Sequence, residues 1–564
     1  MGLALPGRRR IALAAILLAV AAVLAFPAQA AAAATLPGLA LASVTRMVAA
    51  YVLSLTFAIV FGLTAATNRR AATVLLPFLD VLQSVPIFGF FPAALLFFVA
   101  TFHGHPAGLE LAVVFLIFTS MAWNMAYGVY ESVITIPRDL EVAGQSLGLT
   151  GWLRFRRLLF PSMIPKLVYN SMLSWSNGWY FLVASEVFTA FGETHTRPGL
   201  GAFIAEAGIA ADMGAIALGL GALAAVVLAL DALAWRPLSL WSERFRIEST
   251  SREALRVPGP YERFRWLPRF PGIRANAIGR LRPLAQAWER ASLRLERGYV
   301  GHPAVVRTVR RADMIMFLAI VGIVVVAGLA GIAGLVARGL PADASRIPGA
   351  VLVSFGRLSL AYVVALAWTV PMAAWIGRDA RAARVMTPVL EVFASLPATA
   401  LLPAILAFSI AVASFAGLVE DLAALLIGLF AMQWYLLFNL IAGVRTIPGD
   451  LEEAARAFGL RGRTYWRRVL LPALAPSLVT GSITAWGAGW NATIVSEYVP
   501  YGGVVYDADG LGAILARATF ATPPDPEMVL LSVLAMIAVV LSLNKLVWRP
   551  LYRRVATLYR MEVQ

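Results

Sequence analysis

The chain has 564 residues, of which 60% are hydrophobic and only 14% charged, and its mean hydropathy is +0.77. A soluble domain is nearer half apolar and a quarter charged, so this composition excludes a soluble protein. The net charge of +16 lies largely in arginine-rich segments between apolar runs. We therefore predict contact with a lipid bilayer and no nucleic-acid binding.

Apolar runs of about 20 residues, the length that crosses about 30 Å of hydrocarbon as a helix, recur along the chain. In the first half they predict spans near 11–32, 45–66, 75–101, 109–130, 167–190 and 212–234. In the second half they predict spans near 313–337, 353–376, 388–411, 419–441, 475–496 and 528–548. The sequence thus predicts an all-α polytopic membrane protein with about twelve transmembrane helices.

The first predicted span allows two interpretations. Residues 7–30, GRRRIALAAILLAVAAVLAFPAQA, combine a charged start, an apolar core and an A-x-A ending, as a signal peptide does. The span at 313–337 opens the second half and cannot be a signal. By analogy with it we favour a retained first helix.

Arginine placement predicts the orientation of the chain in the membrane. When the chain is traced through the predicted spans in order, most arginines fall on one side of the membrane. The loops on the opposite side are short or acidic, as at Asp507 and Asp509. By the positive-inside rule the arginine-rich side is cytoplasmic. We therefore expect both termini and the charged segments 138–165 and 449–476 in the cytoplasm.

The two halves of the chain repeat each other at a nearly constant offset. Arg46 and Arg357 lie 311 positions apart (357 − 46), as do Trp123 and Trp434. The same offset relates Pro86 to Pro397, Glu141 to Glu452, Gly148 to Gly459, Pro161 to Pro472, Trp175 to Trp486, Trp179 to Trp490, and Glu186 to Glu497. With six predicted spans each, both halves insert in the same orientation, as a parallel repeat.

This repeat predicts three parts: a first repeat at 1–235, a basic linker at 236–312 and a second repeat at 313–564. The linker is rich in Arg, Pro and Glu with interleaved aromatic and apolar residues. It suits either an aqueous connection or an amphipathic helix on the anionic inner leaflet.

The charged segments 138–165 and 449–476 lie between the fourth and fifth predicted spans of each half. In the second copy Pro448 and Asp450 open a helix, with Glu452 and Glu453 in its first turn, where the helix dipole favours anions. Gly459 then allows a tight turn. We expect a short helix–turn–helix that stands off the bilayer and docks into a partner.

The second segment resembles the EAA loop of ATP-binding-cassette importer permeases. That pattern is E-A-A, three residues, Gly, nine residues, a hydrophobic residue, one more and L-P. The matching positions are Glu453, Ala454, Ala455, Gly459 and Pro472. The first segment keeps Ala143, Gly148 and Pro161 but has Val142, Gly144 and Phe160 elsewhere in the pattern, and Glu141 lies one residue early. These departures lead us to expect weaker coupling or a different ATPase face for the first loop.

The third spans, LDVLQSVPIFGFFPAALLFF and LEVFASLPATALLPAILAFS, are similar to those of permeases that import nitrate, sulfonates, taurine and related anions. The resemblance implies two fused type I importer permease repeats in a bacterial inner membrane. It also implies two cytoplasmic ATPase subunits that receive the loops, and an extracytoplasmic solute-binding protein. The anionic nature of the solute follows from the resemblance alone.

The sequence predicts no catalytic or cofactor site in this chain. A Walker A loop needs Gly-Lys-Ser or Gly-Lys-Thr, whereas the only lysines, Lys166 and Lys545, follow Pro165 and Asn544. ATP and Mg²⁺ should therefore bind to the partner ATPase. The HGH sequence at 103–105 has no nearby third ligand, and we predict no metal site.

Polar residues and helix breaks inside spans are candidates for the translocation pathway. In the third spans these are Ser84, Pro86, Ser395 and Pro397, for which a plain kink is the alternative. In the fifth spans they are Trp175, Trp179, Trp486, Trp490 and Asn491. Glu186 and Glu497 would repel an anion, so we assign them to gating or helix packing.

The main alternative is a secondary transporter, which can also be built of two parallel six-span repeats. Such a carrier would be expected to hold carboxylates or histidines within its spans for ion coupling. A membrane enzyme would need a cluster of catalytic acids, histidines or metal ligands. The sequence instead has few charges within spans and two docking loops, which favours the importer.

Overall fold

A computed structural model describes residues 30–84, 86–103, 105–190, 193–245, 303–414, 417–521 and 523–558. Most of the predicted span at 11–32, together with the signal-peptide alternative, lies outside these residues. So does most of the linker 236–312, including the part that could lie on the membrane.

The first repeat consists of ten helices and one hairpin in its described part. The helices are α1 (Ala30–Thr67), α2 (Arg69–Ser84), α3 (Ile87–Thr101), α4 (Pro106–Ile134), α5 (Arg138–Ser146), α6 (Gly151–Arg154), α7 (Phe160–Ser185), α8 (Leu200–Ile209), α9 (Met213–Leu230) and α10 (Arg236–Ser242). Strands β1 (Val187–Ala190) and β2 (Glu193–Thr196) form an antiparallel hairpin after α7. Turns of π-helix at Phe155–Leu159 and Asp231–Trp235 join α6 to α7 and α9 to α10, and a short 3₁₀ turn, Glu243–Phe245, follows α10.

The second repeat opens with α11 (Pro303–Arg338) and a 3₁₀ turn, Ala342–Arg346. Its other helices are α12 (Ile347–Arg378), α13 (Ala380–Ser395), α14 (Ala398–Ala413), α15 (Val419–Arg445), α16 (Gly449–Ala457), α17 (Gly462–Tyr465), α18 (Leu471–Ser496), α19 (Leu511–Phe520), α20 (Pro526–Leu543) and α21 (Arg549–Leu558). Strands β3 (Tyr498–Tyr501) and β4 (Val504–Asp507) form its hairpin, and π-helical turns lie at Trp466–Leu470 and Asn544–Trp548.

The elements α12 to α21 reproduce α1 to α10 in order, down to the hairpin and both π-helical turns. Within the described residues eight helices are long and apolar enough to cross a membrane. The all-α polytopic fold with two tandem repeats is therefore confirmed, apart from the two short hairpins. We call the end of the bundle that carries α5 and α16 the loop end, and the opposite end the hairpin end.

Two predicted spans are each divided into two helices. The span 75–101 separates into α2 and α3 at Pro86, and the span 388–411 separates into α13 and α14 at Pro397. Proline lacks a backbone N–H and disfavours helical geometry in the residue before it, which favours a helix boundary at these two positions. Helices α2 and α3 have 16 and 15 residues, so each is about 23 Å long.

Each repeat has a core of three long helices: α1, α4 and α7 in the first, and α12, α15 and α18 in the second. Helix α11 contacts both repeats. In its first half Phe317 packs against Phe57 and Phe61 of α1. At its other end Arg338 forms an ion pair with Glu527 of α20, with 2.8 Å between Nη1 and Oε1. The repeats also meet directly where α3 contacts α18 and where α14 contacts α7 and α8.

A buried ion pair lies at the hairpin end of the first repeat. The carboxylate of Glu186, 0% exposed, accepts from Arg46 Nη1 at 2.8 Å, from Ser43 Oγ at 2.6 Å and from the Gly201 amide at 2.7 Å. Arg46 also donates to Glu110 of α4, with 2.7 Å between Nε and Oε2. These bonds join α1, α4, the end of α7 and the start of α8.

The second repeat contains the same arrangement. Glu497 accepts from Arg357 Nη1 at 3.1 Å, from Ser354 Oγ at 2.7 Å and from the Gly512 amide at 2.8 Å. Arg357 also donates to Asp421 of α15, with 2.7 Å between Nε and Oδ1. A buried carboxylate is stable only when it is paired and hydrogen-bonded, which both networks provide. We call each of these networks an arginine–glutamate clamp.

The clamp leaves no room for a side chain at Gly510, so Gly510→Ala should destabilise the second repeat. A Cβ at Gly510 would overlap the Glu497 carboxylate, whereas its φ of −101° is open to any residue. Displacing a buried paired carboxylate costs on the order of 3 kcal/mol. Thermal unfolding in mild detergent would measure this loss.

The matched control is Gly487→Ala on α18, where a Cβ would meet nothing within 4 Å. This change should stabilise the helix by about 0.5–1 kcal/mol. Equal stability of the two variants would contradict the clamp as a packing constraint.

Candidate functional site

The second charged segment folds as predicted into a short helix, a tight turn and a second short helix. Helix α16 ends with two bonds: the Gly459 amide donates to the Arg456 carbonyl at 3.0 Å, and the Leu460 amide to the Ala455 carbonyl at 2.9 Å. Gly459 has a φ of +66°. This pattern is a Schellman cap, whose left-handed residue favours glycine.

The first segment has the same geometry despite its departures from the EAA pattern. The Gly148 amide donates to the Gln145 carbonyl and the Leu149 amide to the Gly144 carbonyl, both at 2.9 Å, and Gly148 has a φ of +70°. Gly144 is buried where the second loop has buried Ala455. The glycine shared by both motifs is thus explained by backbone geometry.

Glu141 and Glu452, which match in the repeat, are half-buried and bond to neighbouring side chains. Glu141 pairs with Arg154 of α6, with 2.9 Å between Oε1 and Nη2. Glu452 accepts from Tyr465 Oη at 3.3 Å and lies 3.6 Å from Nε of Arg378, at the end of α12. These carboxylates hold the two short helices of each loop together. In contrast Glu453 and Ala454, and Ala143 in the first loop, are exposed.

Each loop also carries a large exposed apolar residue next to its glycine, which the sequence analysis did not single out. Phe458 is 82% exposed and Leu147 is 79% exposed. The two positions match in the repeat, and that register was the signal available in the sequence. An apolar side chain held at the tip of a rigid turn is suited to insertion into a groove of a partner.

Pro161 and Pro472 are the second residues of α7 and α18, directly after π-helical turns. The Phe160 amide bonds to the Phe155 carbonyl, and the Leu471 amide to the Trp466 carbonyl, five residues back in each case. Because proline cannot donate to the carbonyl four residues earlier, the helix shifts its bonding register. The helix therefore continues from each loop into the membrane.

Three of the predicted pathway residues lie where the two repeats meet. The Ile87 amide, directly after Pro86, donates to Asn491 Oδ1 of the other repeat at 2.8 Å. At the matched break the hydroxyl of Thr399, two residues after Pro397, donates to the backbone carbonyl of Tyr180 at 2.9 Å. Ser84 and Ser395 end α2 and α13 beside these breaks. We call this contact between α3 and α18, and between α14 and α7, the repeat interface.

The predicted pathway tryptophans are buried inside their own repeats. Trp175 packs against Tyr51 and Trp235, with ring centroids 5.7 and 5.5 Å apart. Trp486 packs against Phe355 at 5.4 Å, and Trp179 and Trp490 are 0% and 1% exposed. This placement favours a packing role for these four residues. The glutamates Glu186 and Glu497 lie in the arginine–glutamate clamps.

The arginines of the clamps were noted in the sequence only as markers of the repeat. Arg46 and Arg357 fall inside predicted spans, where an ionisable residue needs a partner. Arg46 and Arg357 repeat at the same offset as Glu186 and Glu497. The sequence therefore contained a signal that each arginine pairs with the glutamate of its own repeat. Taken together, the fold and the loops define a membrane protein of two parallel permease-like halves.

Comparison with known proteins agrees with this class. A family profile described as "Binding-protein-dependent transport system inner membrane component" matches the chain twice, over residues 58–234 and 369–548. The chain belongs to this family. It is a fused, duplicated permease of the ATP-binding-cassette type and a transport component rather than an enzyme, as the EAA-loop resemblance implied.

Curated relatives match parts of the chain. The nitrate import permease protein NrtB of Leptolyngbya laminosa is 28% identical over 168 residues, 29% of this chain and 57% of the relative. The bicarbonate transport system permease protein CmpB of Synechococcus elongatus is 36% identical over 80 residues, 14% of this chain and 29% of the relative. The glycine betaine/proline betaine permease ProW of Salmonella typhimurium is 27% identical over 135 residues, 24% and 36% of the two chains. The match thus spans little more than half of the nitrate permease.

The Schellman cap makes a graded prediction at Gly459. Asparagine tolerates the left-handed conformation, whereas a β-branched residue there costs about 1–2 kcal/mol or more. Gly459→Val should therefore unravel the end of α16 and speed trypsin cleavage after exposed Arg456 and Arg461, while Gly459→Asn should not. The control Gly449→Val, at the open first position of α16, should cleave like the unchanged chain. Equal cleavage of both Gly459 variants would contradict the cap.

Proposed function

We propose that this chain supplies both permease halves of a binding-protein-dependent importer that carries a small solute across a bacterial inner membrane. The observation that carries the proposal is the pair of matched loops, α5–α6 and α16–α17, at one end of a duplicated bundle. Two loops of one shape, each with an exposed apolar tip, suit two ATPase subunits. ATP and Mg²⁺ bind to those subunits, and their closure rocks one repeat against the other.

The orientation follows from this assignment. The loop end faces the cytoplasm together with both termini, which agrees with the arginine distribution. The hairpin end then faces outward and meets the solute-binding protein. The solute crosses between the repeats, past the helix breaks at Pro86 and Pro397.

We further propose that the solute is a small anion such as nitrate or an organic sulfonate. The support is the similarity of the third spans to anion-type permeases and the names of the nitrate and bicarbonate relatives. The betaine relative makes glycine betaine the informative non-anionic comparison. An uptake test should therefore compare nitrate, bicarbonate, taurine and glycine betaine.

The apolar loop tips should control ATPase binding. Purification of the tagged chain from its native membrane in mild detergent should recover a stoichiometric ATPase, quantified by mass spectrometry. Phe458→Ala should lower this recovery about tenfold, because a buried phenyl contact is worth about 1.5–3 kcal/mol. Leu147→Ala should lower it less, because the first loop departs from the EAA pattern.

The control is Val505→Ala, which trims an exposed apolar residue at the hairpin end, 46% exposed, and should leave ATPase recovery unchanged. Full recovery with both tip variants would argue against docking through the loops. A chain that purifies alone and moves nitrate down an ion gradient in vesicles would instead be a secondary transporter.

Coupling should depend on the second loop more than on the first. Gly459→Asp places a charged side chain at the turn, and we expect it to abolish ATP-driven uptake while membrane insertion stays normal. Gly148→Asp should be milder. Radiolabelled or isotopic uptake in cells, normalised to the amount of inserted chain, measures both. Normal transport by the Gly459→Asp variant would overturn the docking assignment.

A further inference from the structure

Two helix N-termini meet the repeat interface, nearer to the hairpin end than to the loop end. Helix α3 starts at Ile87, whose amide is bonded to Asn491 of the other repeat. Helix α14 starts at Ala398, and the next residue, Thr399, is bonded to Tyr180 of the other repeat. Each N-terminus carries a partial positive charge of about half an elementary charge. Helices broken within the membrane can direct such N-termini at anionic groups of a solute.

The matched positions Tyr180 and Asn491, which are 311 residues apart (491 − 180), differ in chemistry. The side-chain carbonyl of Asn491 is used by the Ile87 amide. The hydroxyl of Tyr180 is fully buried and has no hydrogen-bond partner in the described part of the chain. Both sides of the twofold-like arrangement are joined by a hydrogen bond. On one side it uses the Asn491 side chain and on the other the Tyr180 backbone carbonyl, so the Tyr180 hydroxyl is left without a partner among the described residues.

Tyr180 lies beside both helix starts: its backbone carbonyl accepts from Thr399 of α14, and its ring is close to α3. Its ring lies 5.9 Å from that of Phe88 in the first turn of α3. It also packs against the buried cluster of Ala398, Ile405, Ile427 and Ala492. Tyr435 of α15, in the other repeat, is close enough to interact with its phenol electrostatically.

An unpaired buried hydroxyl costs about 1–3 kcal/mol of stability. Phenylalanine would fill the same space without that cost. A hydroxyl at this position would gain a partner if a hydrogen-bonding solute entered between the repeats. A hydrogen-bond acceptor carrying negative charge would satisfy both the hydroxyl and the two helix N-termini.

We propose that the Tyr180 hydroxyl and the N-termini of α3 and α14 form a solute-contacting subsite that selects small oxyanions as the repeats separate. The subsite rests on the proposed function, since it assumes that the solute crosses between the repeats. It assigns anion selection to neutral donors and helix dipoles at the repeat interface. It also makes Tyr180 a one-sided specificity determinant.

The absence of cysteine from the chain allows a direct test with single-cysteine variants. Tyr180→Cys is made in the chain with its partner ATPase in membranes, and is treated with anionic sulfonatoethyl methanethiosulfonate or cationic trimethylammonioethyl methanethiosulfonate. Rates are normalised to Val505→Cys at the exposed hairpin. We expect the anionic reagent to be favoured about tenfold, which corresponds to about 1.4 kcal/mol from the two helix dipoles.

The matched buried control is Ser174→Cys, which lies inside the first repeat with its hydroxyl bonded to the Met121 carbonyl at 3.1 Å. It should stay unreactive while ATP is hydrolysed. A Tyr180→Cys variant as unreactive as this control, or without preference for the anion, overturns the subsite. Should Tyr180→Cys fail to insert, Thr399→Cys carries the same expectation and the same contrary outcome. ATPase co-purification is scored separately, so a failed importer assignment and a failed subsite give different results.

Tyr180→Phe provides an independent test of whether the hydroxyl is unpaired, because this change removes only that oxygen. It should unfold at the same temperature as the unchanged chain or a higher one. The comparison variant Tyr362→Phe removes a hydroxyl bonded to Ser482 at 2.7 Å and should unfold at a lower temperature. An equal loss in both variants would show that the Tyr180 hydroxyl has a structural partner, which contradicts the proposal.

Discussion

The arginine–glutamate clamp is the interaction on which the architecture of each repeat depends. One buried carboxylate, Glu186 or Glu497, accepts hydrogen bonds from an arginine and a serine of the first core helix. It also accepts one from a backbone amide at the start of the short helix α8 or α19. The arginine in turn reaches an acidic residue of the second core helix. Because no member can leave without stranding a buried charge, these elements at the hairpin end are bound to move together.

The clamp lies at one end of a helical segment whose other end is the charged loop. In the first repeat α6, a π-helical turn and α7 run without a break from Gly151 to Ser185, directly before Glu186. In the second repeat the same segment runs from Gly462 to Ser496, directly before Glu497. Each segment has a π-helical turn at its Leu-Pro or Phe-Pro pair and a second proline, Pro165 or Pro476, inside the long helix. A displacement at a loop would therefore reach the hairpin end through one continuous helical segment in each repeat.

The sequence predicted the features that follow from composition and local backbone rules. The register of Pro86 with Pro397 and of Gly148 with Gly459 revealed the repeat, and Gly459 correctly marked the tight turn. It did not predict the partners of Arg46, because a link between residues 46, 110 and 186 depends on how three helices pack. Nor did it place Trp175, since a spacing of four residues defines a helical face but not whether that face turns inward or toward the other repeat.

Duplication within one chain lets the two halves diverge where symmetry would limit the site. The clamps and turns, which carry structure, have the same chemistry in both repeats. At the repeat interface the matched positions differ: tyrosine at 180 against asparagine at 491, and phenylalanine at 88 against threonine at 399, the second residue of α3 and of α14 respectively. A solute without twofold symmetry, such as an organic sulfonate, would meet the wrong groups on one of its faces if the two walls were identical. Asymmetry at the interface, with symmetric clamps beside it, is the arrangement expected if selection takes place there.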